Sequence, residues 1–382
     1  MKKVKSYRDL PYTACSACMA CIDVCHHNAL SPIIDEDGYY QISGDADKCI
    51  ECGLCVKTCP VLKNEAEVNS LRNAFAVWNS NEELRSKSAS GGAFSALAEE
   101  VLRQGGIIYG AKIDGFRIKH ARVDSIKNLP PLLGSKYQHS EKQGIYKQVR
   151  KDLKEGKLVL FSGMSCEIAG LKSFLSNTPQ DNLYTVDTIC GGHSTLLPML
   201  SLENSGKYLG IHSFRNKDNG WRPRGYRYDL KMLEKNGLIA DLALDNIVLN
   251  TFSSKLLKRS SCLECKFNGL DRISDCTIGD FWGLDDYKDQ HPKGVSVLVV
   301  NNERIMPLIS ASTLHLESVT IEDVERENPC YIGTSHRLIR HFYSRRLALQ
   351  YFRDNKISKA MHLMKPRPWA GIAMSIYLKL TK

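Results

Sequence analysis

Eight of the 14 cysteines in this 382-residue chain lie between residues 15 and 59, in two copies of one motif. The stretches CSACMACIDVC (15–25) and CIECGLCVKTC (49–59) share the spacing C-x2-C-x2-C-x3-C. Cysteines clustered so closely in an intracellular chain bind metal more often than they form disulfides. Four thiolates in such a tight loop suit an iron-sulfur cube, and the chemistry predicted is one-electron transfer.

The spacing is that of bacterial two-cluster ferredoxins, in which the fourth cysteine of each run binds the cluster of the other run. This rule assigns the eight cysteines to two crossed [4Fe-4S] sites: Cys15, Cys18, Cys21 and Cys59 in one, and Cys25, Cys49, Cys52 and Cys55 in the other. Zinc is the alternative, because paired C-x2-C motifs also form tetrahedral sites. His26 stands where proline is usual, and an exposed loop histidine is a simpler interpretation than one that tunes a cluster.

Length and composition indicate a soluble globular protein with two or three domains. Hydrophobic residues make up 43% and charged residues 25% of the chain, close to the averages for such proteins. The N-terminal MKKVKSYRDLPY has basic residues but no apolar stretch behind them, so we expect no secretory signal and a cytoplasmic location.

The fold class expected is α+β, with a bacterial ferredoxin-like two-cluster module at residues 1–65, a mixed α/β domain at 73–334 and a helical basic tail at 335–382. Apolar runs predict buried strands at 107–111, 157–161, 183–189 and 295–300. Helical spacing is present at 91–104, which Gly105 and Gly106 end, and at 167–175. Residues 226–233 and 238–244 predict an antiparallel pair around a KNG turn.

The net charge of +10 is concentrated in the tail. Residues 335–382 hold 11 of the 52 basic residues and one of the 42 acidic residues, so the other 41 basic and 41 acidic residues cancel. A nucleic-acid binder would need a basic face on its body, and we expect none. The apolar stretch 368–380 is too short to span a bilayer. One interpretation is that the tail docks on an anionic membrane surface, which would make the protein peripheral to the membrane, or on an acidic partner. The other is that the tail packs on its own domain.

An ordered set of motifs follows the cysteine-rich module: RSKSASGGAFSAL (85–97), LLGSKYQHS (132–140), FSGMSCEIAGL (161–171), DTICGG (187–192), SSCLECKF (260–267) and DCTIGDFWGLD (275–285). In this order they resemble the coenzyme F420 hydrogenase/dehydrogenase beta-subunit family. The resemblance implies a flavin-binding domain at 73–334, with FAD between the iron-sulfur clusters and a hydride-exchanging partner. It does not imply use of the deazaflavin for which the family is named, and some members occur in surface-polysaccharide gene neighbourhoods. No GxGxxG follows a strand and no GxxxxGK[ST] is present, so neither usual nucleotide loop is supported.

Seven residues are candidate cofactor contacts under this resemblance: Ser88, Ser90, Gly91, Gly92, Lys136, Gly279 and Asp280. The SASGG residues precede a helical pattern, where a helix start favours anions and small residues allow close backbone approach. An ordinary serine cap with a turn is the alternative. Lys136 would place positive charge near a reduced flavin, or be a solvated lysine. Phe281 and Trp282, between two glycines, are cofactor neighbours or core residues.

The remaining cysteines predict a third [4Fe-4S] cluster beside the flavin. Cys262 and Cys265 offer two ligands from one turn, and Cys166 and Cys190 each follow a predicted strand, near the edge where sheets gather ligands. The resemblance supports a cluster here. Cys276 and, less strongly, Cys330 compete as ligands, and a zinc site or unliganded thiols are the alternatives.

Together these expectations describe an iron-sulfur flavoprotein oxidoreductase that couples two-electron flavin chemistry to one-electron transfer. Its electrons would come from, or go to, a redox partner protein or a small-molecule donor. The alternative is an electron-transfer subunit of a larger redox complex with no substrate of its own.

Overall fold

A computed structural model describes residues 6–63, 68–69, 71–215, 217–218, 220–221, 230–242, 247–254, 256–282, 292–328, 330–332 and 342–364. Its helices are α1 Ala20–Val24, α2 Leu54–Thr58, α3 Glu82–Lys87, α4 Ala93–Arg103, α5 Ile145–Lys154, α6 Ser165–Phe174, α7 Leu197–Asn204, α8 Ile247–Ser254, α9 Ser260–Leu263, α10 Met306–Ala311, α11 Ile321–Glu327, α12 Phe342–Arg353 and α13 Ile357–Met364. Its strands are β1 Leu30–Ile34, β2 Tyr40–Gly44, β3 Asn73–Asn79, β4 Ile107–Asp114, β5 Arg117–Val123, β6 Ser140–Glu141, β7 Val159–Gly163, β8 Leu183–Thr188, β9 Tyr208–Ser213, β10 Lys231–Glu234, β11 Ile239–Asp241, β12 Cys276–Asp280, β13 Ser296–Val300 and β14 Leu314–Val319.

The two cysteine runs fold alike. Each run forms a loop that ends in a five-residue helix, α1 or α2, and the fourth cysteine of the run follows that helix directly. The residue before each helix, Met19 or Gly53, has a left-handed backbone with φ of 67° and 74°. The antiparallel pair β1–β2 lies between the runs, so the sequence repeat is a structural repeat that gives a ferredoxin-like module.

A nine-stranded mixed sheet forms the body, in the order β14-β3-β13-β12-β8-β7-β4-β5-β6. Strands β4, β7, β8 and β12 are parallel neighbours, and β13, β3 and β14 add antiparallel strands at one side. Alternate residues of one strand enter different cores: Ile108 packs with α4, whereas Ile107 and Tyr109 pack with α5 and α6. Since helices cover both faces, several strands are nearly continuous apolar runs, as in VSVLVV. The expected mixed α/β fold with a ferredoxin-like module is confirmed.

A third core includes the described part of the predicted tail. The small sheet β11-β10-β9 packs there with α7, α8, α12 and α13. Ala348, Leu349, Phe352, Ala360 and Met364 are buried in it. Residues 342–364 therefore pack on the protein, while 335–341 and 365–382, with the apolar stretch 368–380, lie outside the described residues. No helix among the described residues combines the length and apolar character that crossing a bilayer requires.

A buried ion pair holds β8 to the segment before β12. Arg272 Nη1 lies 3.3 Å from an Asp187 carboxylate oxygen, and both side chains are fully buried. Removing one partner leaves the other charge buried alone, so we expect Arg272→Leu to lower the free energy of unfolding by about 3–5 kcal/mol. Arg72→Leu is the control: Arg72 pairs with exposed Asp271 at 2.7 Å, and its loss should cost about 0–1 kcal/mol. Urea denaturation measures both changes, and equal losses would contradict this account.

Candidate functional site

The outer cysteine group consists of Cys25, Cys49, Cys52 and Cys55. All four line a single small cavity in the ferredoxin-like module. Cys52 is exposed, Cys25 and Cys49 are half-buried and Cys55 is buried. The fold thus brings the fourth cysteine of the first run to three cysteines of the second, which is the crossed arrangement that the spacing predicts.

The inner cysteine group consists of Cys15, Cys18, Cys21 and Cys59. Burial, with smaller contributions from the nearby thiols of Cys15 and Cys59, raises the pKa of Cys18 to about 12. Burial also raises the pKa of Cys59, and Cys15 acts in the same direction. The thiols of Cys18, Cys15 and Cys59 also act on the pKa of Cys21, which burial raises well above its ordinary value, so the four thiols lie close together. His26, by contrast, is exposed in its loop, as the simpler interpretation expects.

The inner group faces the body of the protein across α6. A Cβ atom at Gly170 would lie 2.8 Å from the Sγ atom of Cys18, so only glycine allows this approach. Ser173 donates to the carbonyl of Thr58 at 2.7 Å. Asp23 of α1 accepts from the backbone N–H of Gly144 at 2.6 Å, at the start of α5. The ferredoxin-like module is therefore docked with its inner cysteine group toward the sheet.

The third cysteine group consists of Cys166, Cys190, Cys262 and Cys265. Burial raises the pKa of Cys166 well above its ordinary value, and Glu167 and the other three thiols act in the same direction. Burial raises the pKa of Cys190 to about 12, with Cys262 as the next contributor. Four cysteines that are up to 99 residues apart in sequence are therefore near neighbours, as predicted from strand ends and the C-x2-C pair.

The two competing cysteines have different surroundings. Cys276 is fully buried in β12, and its charged neighbours are Asp275 and Asp187 rather than thiols. The Sγ atom of Cys330 would lie 3.8 Å from a Cβ at Gly191, so it remains near the third group. Cys276 is thus a core residue, whereas Cys330 lies close enough to the third cysteine group to remain a candidate ligand.

The spacing of the sulfur atoms bears on zinc. A tetrahedral zinc site with Zn–S bonds of about 2.3 Å would hold its sulfurs about 3.8 Å apart. Among the described residues, no three cysteines place their Sγ atoms within 4.8 Å of one another. The described cysteines therefore include no three-thiol group with the close spacing of a preformed zinc site.

A cleft of about 300 Å³ opens where β7, β8 and β12 end, at the carboxyl edge of the sheet. Six of the seven predicted cofactor contacts line it: Ser88, Ser90, Gly92, Lys136, Gly279 and Asp280. Cys190 also lines it, so the third cysteine group borders the cleft. Gly91 does not line it, because the missing side chain makes room for the carbonyl of Val77 and the N–H of Ser296.

The SASGG loop leads into α4. Ser88 donates to the carbonyl of Leu84 at 2.7 Å and Ser90 to that of Val295 at 2.6 Å, so both hydroxyls hold the loop in place. Gly92, the last residue before α4, has φ of +91°. The start of an eleven-residue helix therefore points its free N–H groups at the cleft with no side-chain cap.

Lys136 lies in the opposite wall. Its ammonium donates to the carbonyls of Leu132 and Leu133, both at 2.7 Å. An ammonium has three N–H donors, so one is left for a ligand in the cleft. Burial lowers the pKa of Lys136 to about 7. The lysine is therefore part of the cleft rather than a solvated surface residue.

The residues of the GDFWG segment take different positions relative to the cleft. Asp280 lines the cleft and pairs with Arg215 at 2.7 Å. Phe281 is buried, and Trp282 stacks on Trp221 with ring centroids 4.9 Å apart. Neither aromatic residue is among those that line the cleft, Phe281 belongs to a hydrophobic core, and Gly283 lies outside the described residues.

A buried polar network at the floor of the cleft was not predicted. Lys142 donates to Glu167 at 2.8 Å, and Glu167 also accepts from Ser140 at 3.3 Å. Ser140 in turn contacts His120 Nδ1 at 2.9 Å. Burial raises the pKa of Glu167, but Lys142 and the nearby histidines outweigh it and lower that pKa to about 2. Glu167 is therefore a carboxylate neutralised by Lys142.

Two stacked histidines complete this network. The rings of His139 and His193 lie 3.8 Å apart and nearly parallel, and burial lowers the pKa of His193 to about 3, so both rings are neutral. Their donor atoms and a Glu167 oxygen lie within 4.8 Å of one another. Parallel rings cannot direct both lone pairs at one ion, and Lys142 already occupies the carboxylate. His139, His193 and Glu167 thus form a hydrogen-bonding floor of the cleft rather than a metal site. The buried Nε2 atom of His193 has no hydrogen-bond partner among the described residues.

The motifs that hold these residues stand out in the sequence, but their spacing assigns no role to the residues themselves. His139 is the penultimate residue of LLGSKYQHS, Glu167 follows Cys166, and His193 follows the glycines of DTICGG. Only Glu167 is immediately beside a predicted ligand, Cys166, and that adjacency was the available signal.

Two family models match the chain. Residues 156–324 match the model for the C terminus of the coenzyme F420 hydrogenase/dehydrogenase beta subunit, and residues 14–62 match the model of a 4Fe-4S dicluster domain. No curated protein matches. Thirteen chains of solved structures do. One of them is a chain in the xenon-derivatised F420-reducing [NiFe] hydrogenase complex of Methanosarcina barkeri. It is 14% identical in sequence to this protein, with a TM-score of 0.44, and the match covers 78% of this chain and 93% of that chain. With the cysteine motifs, the two models identify an iron-sulfur electron-transfer protein that is related to the coenzyme F420 hydrogenase/dehydrogenase beta subunit and carries an N-terminal 4Fe-4S dicluster domain.

Proposed function

We propose that the protein is an iron-sulfur flavoprotein oxidoreductase with FAD in the cleft and three [4Fe-4S] clusters. FAD supplies two-electron chemistry when bound, and each cluster exchanges one electron. The inner and outer cysteine groups of residues 1–65 hold two clusters, and the third group holds one between them and the cleft of residues 73–334. The observation that carries the proposal is the succession of these groups from the cleft to the surface.

Cys190 lines the cleft, and its partner Cys166 lies four residues before Gly170 on α6. Four helical residues span about 6 Å, and Gly170 contacts Cys18 of the inner group. The outer group follows in the same module and ends in the exposed Cys52. The cysteines thus connect a cleft of ligand size with a surface that a redox partner can reach.

The cleft residues fit a dinucleotide with a flavin ring. The free N–H groups at the start of α4 and the third donor of Lys136 suit phosphate or flavin oxygens. The unpartnered Nε2 of His193 suits a polar ring atom near the third cysteine group. Ser140, His120 and Glu167 keep this floor polar and fixed, and the carbon walls of Leu132 and Phe252 exclude water.

Reduction by a protein donor tests the proposal. A reduced two-cluster ferredoxin cannot enter a cleft of about 300 Å³, so its electrons must arrive through the cysteine groups. Under anaerobic stopped-flow conditions, we expect it to bleach the flavin band of the full chain. Cys25→Ser should lose about four irons and bleach much more slowly, whereas Cys276→Ser, a core cysteine, should behave as wild type. Equally fast bleaching in Cys25→Ser would contradict the proposal.

An electron-transfer subunit without its own substrate is the second candidate, which the exposed outer group favours. Substrate turnover by the isolated chain would separate the two.

A link to surface-polysaccharide biosynthesis stays a prediction of the family resemblance. Docking of the basic tail on an anionic membrane or an acidic partner also stays a prediction; two tail arginines, Arg345 and Arg353, already bind the Lys258 carbonyl and Asp37 within the chain.

A further inference from the structure

Arg259 is a buried cation between two of the cysteine groups. Only 3% of the residue is exposed. Its guanidinium donates to the carbonyls of Cys15 and Tyr40 and to the side-chain oxygens of Gln41 and Ser261, with the Cys15 contact at 2.7 Å. All four acceptors are neutral oxygens. No carboxylate among the described residues forms an ion pair with this guanidinium, so its positive charge is hydrogen-bonded but uncompensated.

Such a charge is costly to bury. Moving an ion out of water costs several kcal/mol even after relaxation, and neutral hydrogen-bond acceptors recover only part of that. Buried cations are therefore normally matched by an anion. The position of Arg259 indicates which anion this is.

Arg259 touches both the inner and the third cysteine group. Its side chain binds the carbonyl of Cys15, and its own carbonyl accepts from the N–H of Cys262 at 3.0 Å. Its neighbour Lys258 is also buried and donates to the carbonyl of Gly192 at 2.9 Å. The N–H of Gly192 donates to the Sγ of Cys190 at 3.3 Å. Two adjacent cations thus lie against ligands of two different groups.

The outer group has a different environment. Burial, together with the thiols of Cys52 and Cys49, raises the pKa of Cys55, and no cation is among the main influences on it. Burial also raises the pKa of Cys262, but there Lys258 and Arg259 oppose it. Water can solvate the charge at the exposed Cys52, whereas the buried groups depend on fixed cations.

We propose that Arg259, with Lys258 beside it, is the countercharge of the third and inner clusters and raises their reduction potentials. A cluster held by four thiolates is anionic and gains one further negative charge when it takes up one electron, with no proton or atom transferred. Burial disfavours that more negative state, and a fixed cation nearby favours it. Arg259 thereby offsets the burial of these two clusters and keeps them reducible. The inference rests on the proposed third cluster.

Redox titration followed by electron paramagnetic resonance tests the role in the anaerobically purified full chain. Arg259→Gln keeps a hydrogen-bonding side chain without the charge, and should lower the midpoint potential of the third cluster. Arg259→Lys keeps the charge and should restore most of that potential. The control is Arg8→Gln, which removes an exposed cation that pairs with Glu51 beside the outer group. This variant should change the midpoint potential of the third cluster little.

Iron content separates this inference from the proposed function. Loss of iron in Arg259→Gln, but not in Arg259→Lys, would support a countercharge needed for cluster assembly. Full iron content with an unchanged midpoint potential in Arg259→Gln would overturn the inference, as would an equal shift in Arg259→Lys. A wild-type chain with about eight irons instead of about twelve would remove the third cluster and overturn both proposals.

Discussion

We expect Cys262→Ser to remove about four irons per chain, while the flavin and the eight irons proposed for the ferredoxin-like module should stay bound. Serine is a hard oxygen ligand that stays protonated at neutral pH, whereas iron-sulfur clusters need soft thiolates. The effect is large because loss of one ligand from a four-cysteine site releases the whole cluster. Iron and acid-labile sulfide measured on anaerobically purified protein give the count.

Cys276→Ala is the matched control for this loss. Cys276 is buried even more completely than Cys262, but its charged neighbours are carboxylates rather than thiols, so the iron count of this variant should not change. Cys330→Ser tests the remaining competitor and should also keep all the iron. Iron loss in Cys330→Ser with none in Cys262→Ser would make Cys330 a ligand of the third cluster in place of Cys262.

Gly92→Val should strongly reduce FAD occupancy in a protein that still folds. Valine at φ of +91° is strained by about 1–3 kcal/mol, and its Cβ would approach Ser95 and Asn79 to 3.0 and 3.1 Å. Its methyl groups would also stand over the free N–H groups at the start of α4, where a phosphate would bind. Flavin released by denaturation and measured per chain gives the occupancy.

Gly105→Val is the control for backbone strain. Gly105 ends the same helix with φ of +74°, and a Cβ there meets no atom within 4 Å. It should lose stability through similar strain yet keep its flavin, because it is at the far end of α4 from the cleft. Equal flavin content in the two variants would show that α4 does not bind the cofactor. Gly91 is not the variant of choice, since its substitution would disturb packing against β3 and β13.

What the sequence predicts well is local. The two cysteine runs each fold into one loop and one short helix, so their spacing is enough to predict the module and the crossing of Cys25 and Cys59. The apolar strands are short and continuous, and β4, β7, β8 and β13 begin within two residues of their predicted starts. Parallel strands then bring Cys166 and Cys190 to one edge of the sheet, which explains why a third group was predictable.

What the sequence does not predict depends on contacts between distant segments. Lys142 and Glu167 are 25 residues apart in the chain, and they meet only because β6, which directly precedes Lys142, lies at the edge of the sheet. Arg259 reaches Cys15 across 244 residues, and no local pattern marks it. Gly91 looked like its neighbour Gly92, although one faces β3 and β13 and the other faces the cleft. The tail helices look amphipathic and basic, yet their apolar side fills a core.

The cofactor content of the full chain, purified without oxygen, decides whether FAD and three [4Fe-4S] clusters are bound. Iron, acid-labile sulfide, zinc and released flavin are measured on one sample per chain. We expect about twelve irons, about twelve sulfides and about one FAD, with no zinc. Tightly bound zinc without acid-labile sulfide, or a folded protein that contains iron but no flavin under every preparation, would contradict it.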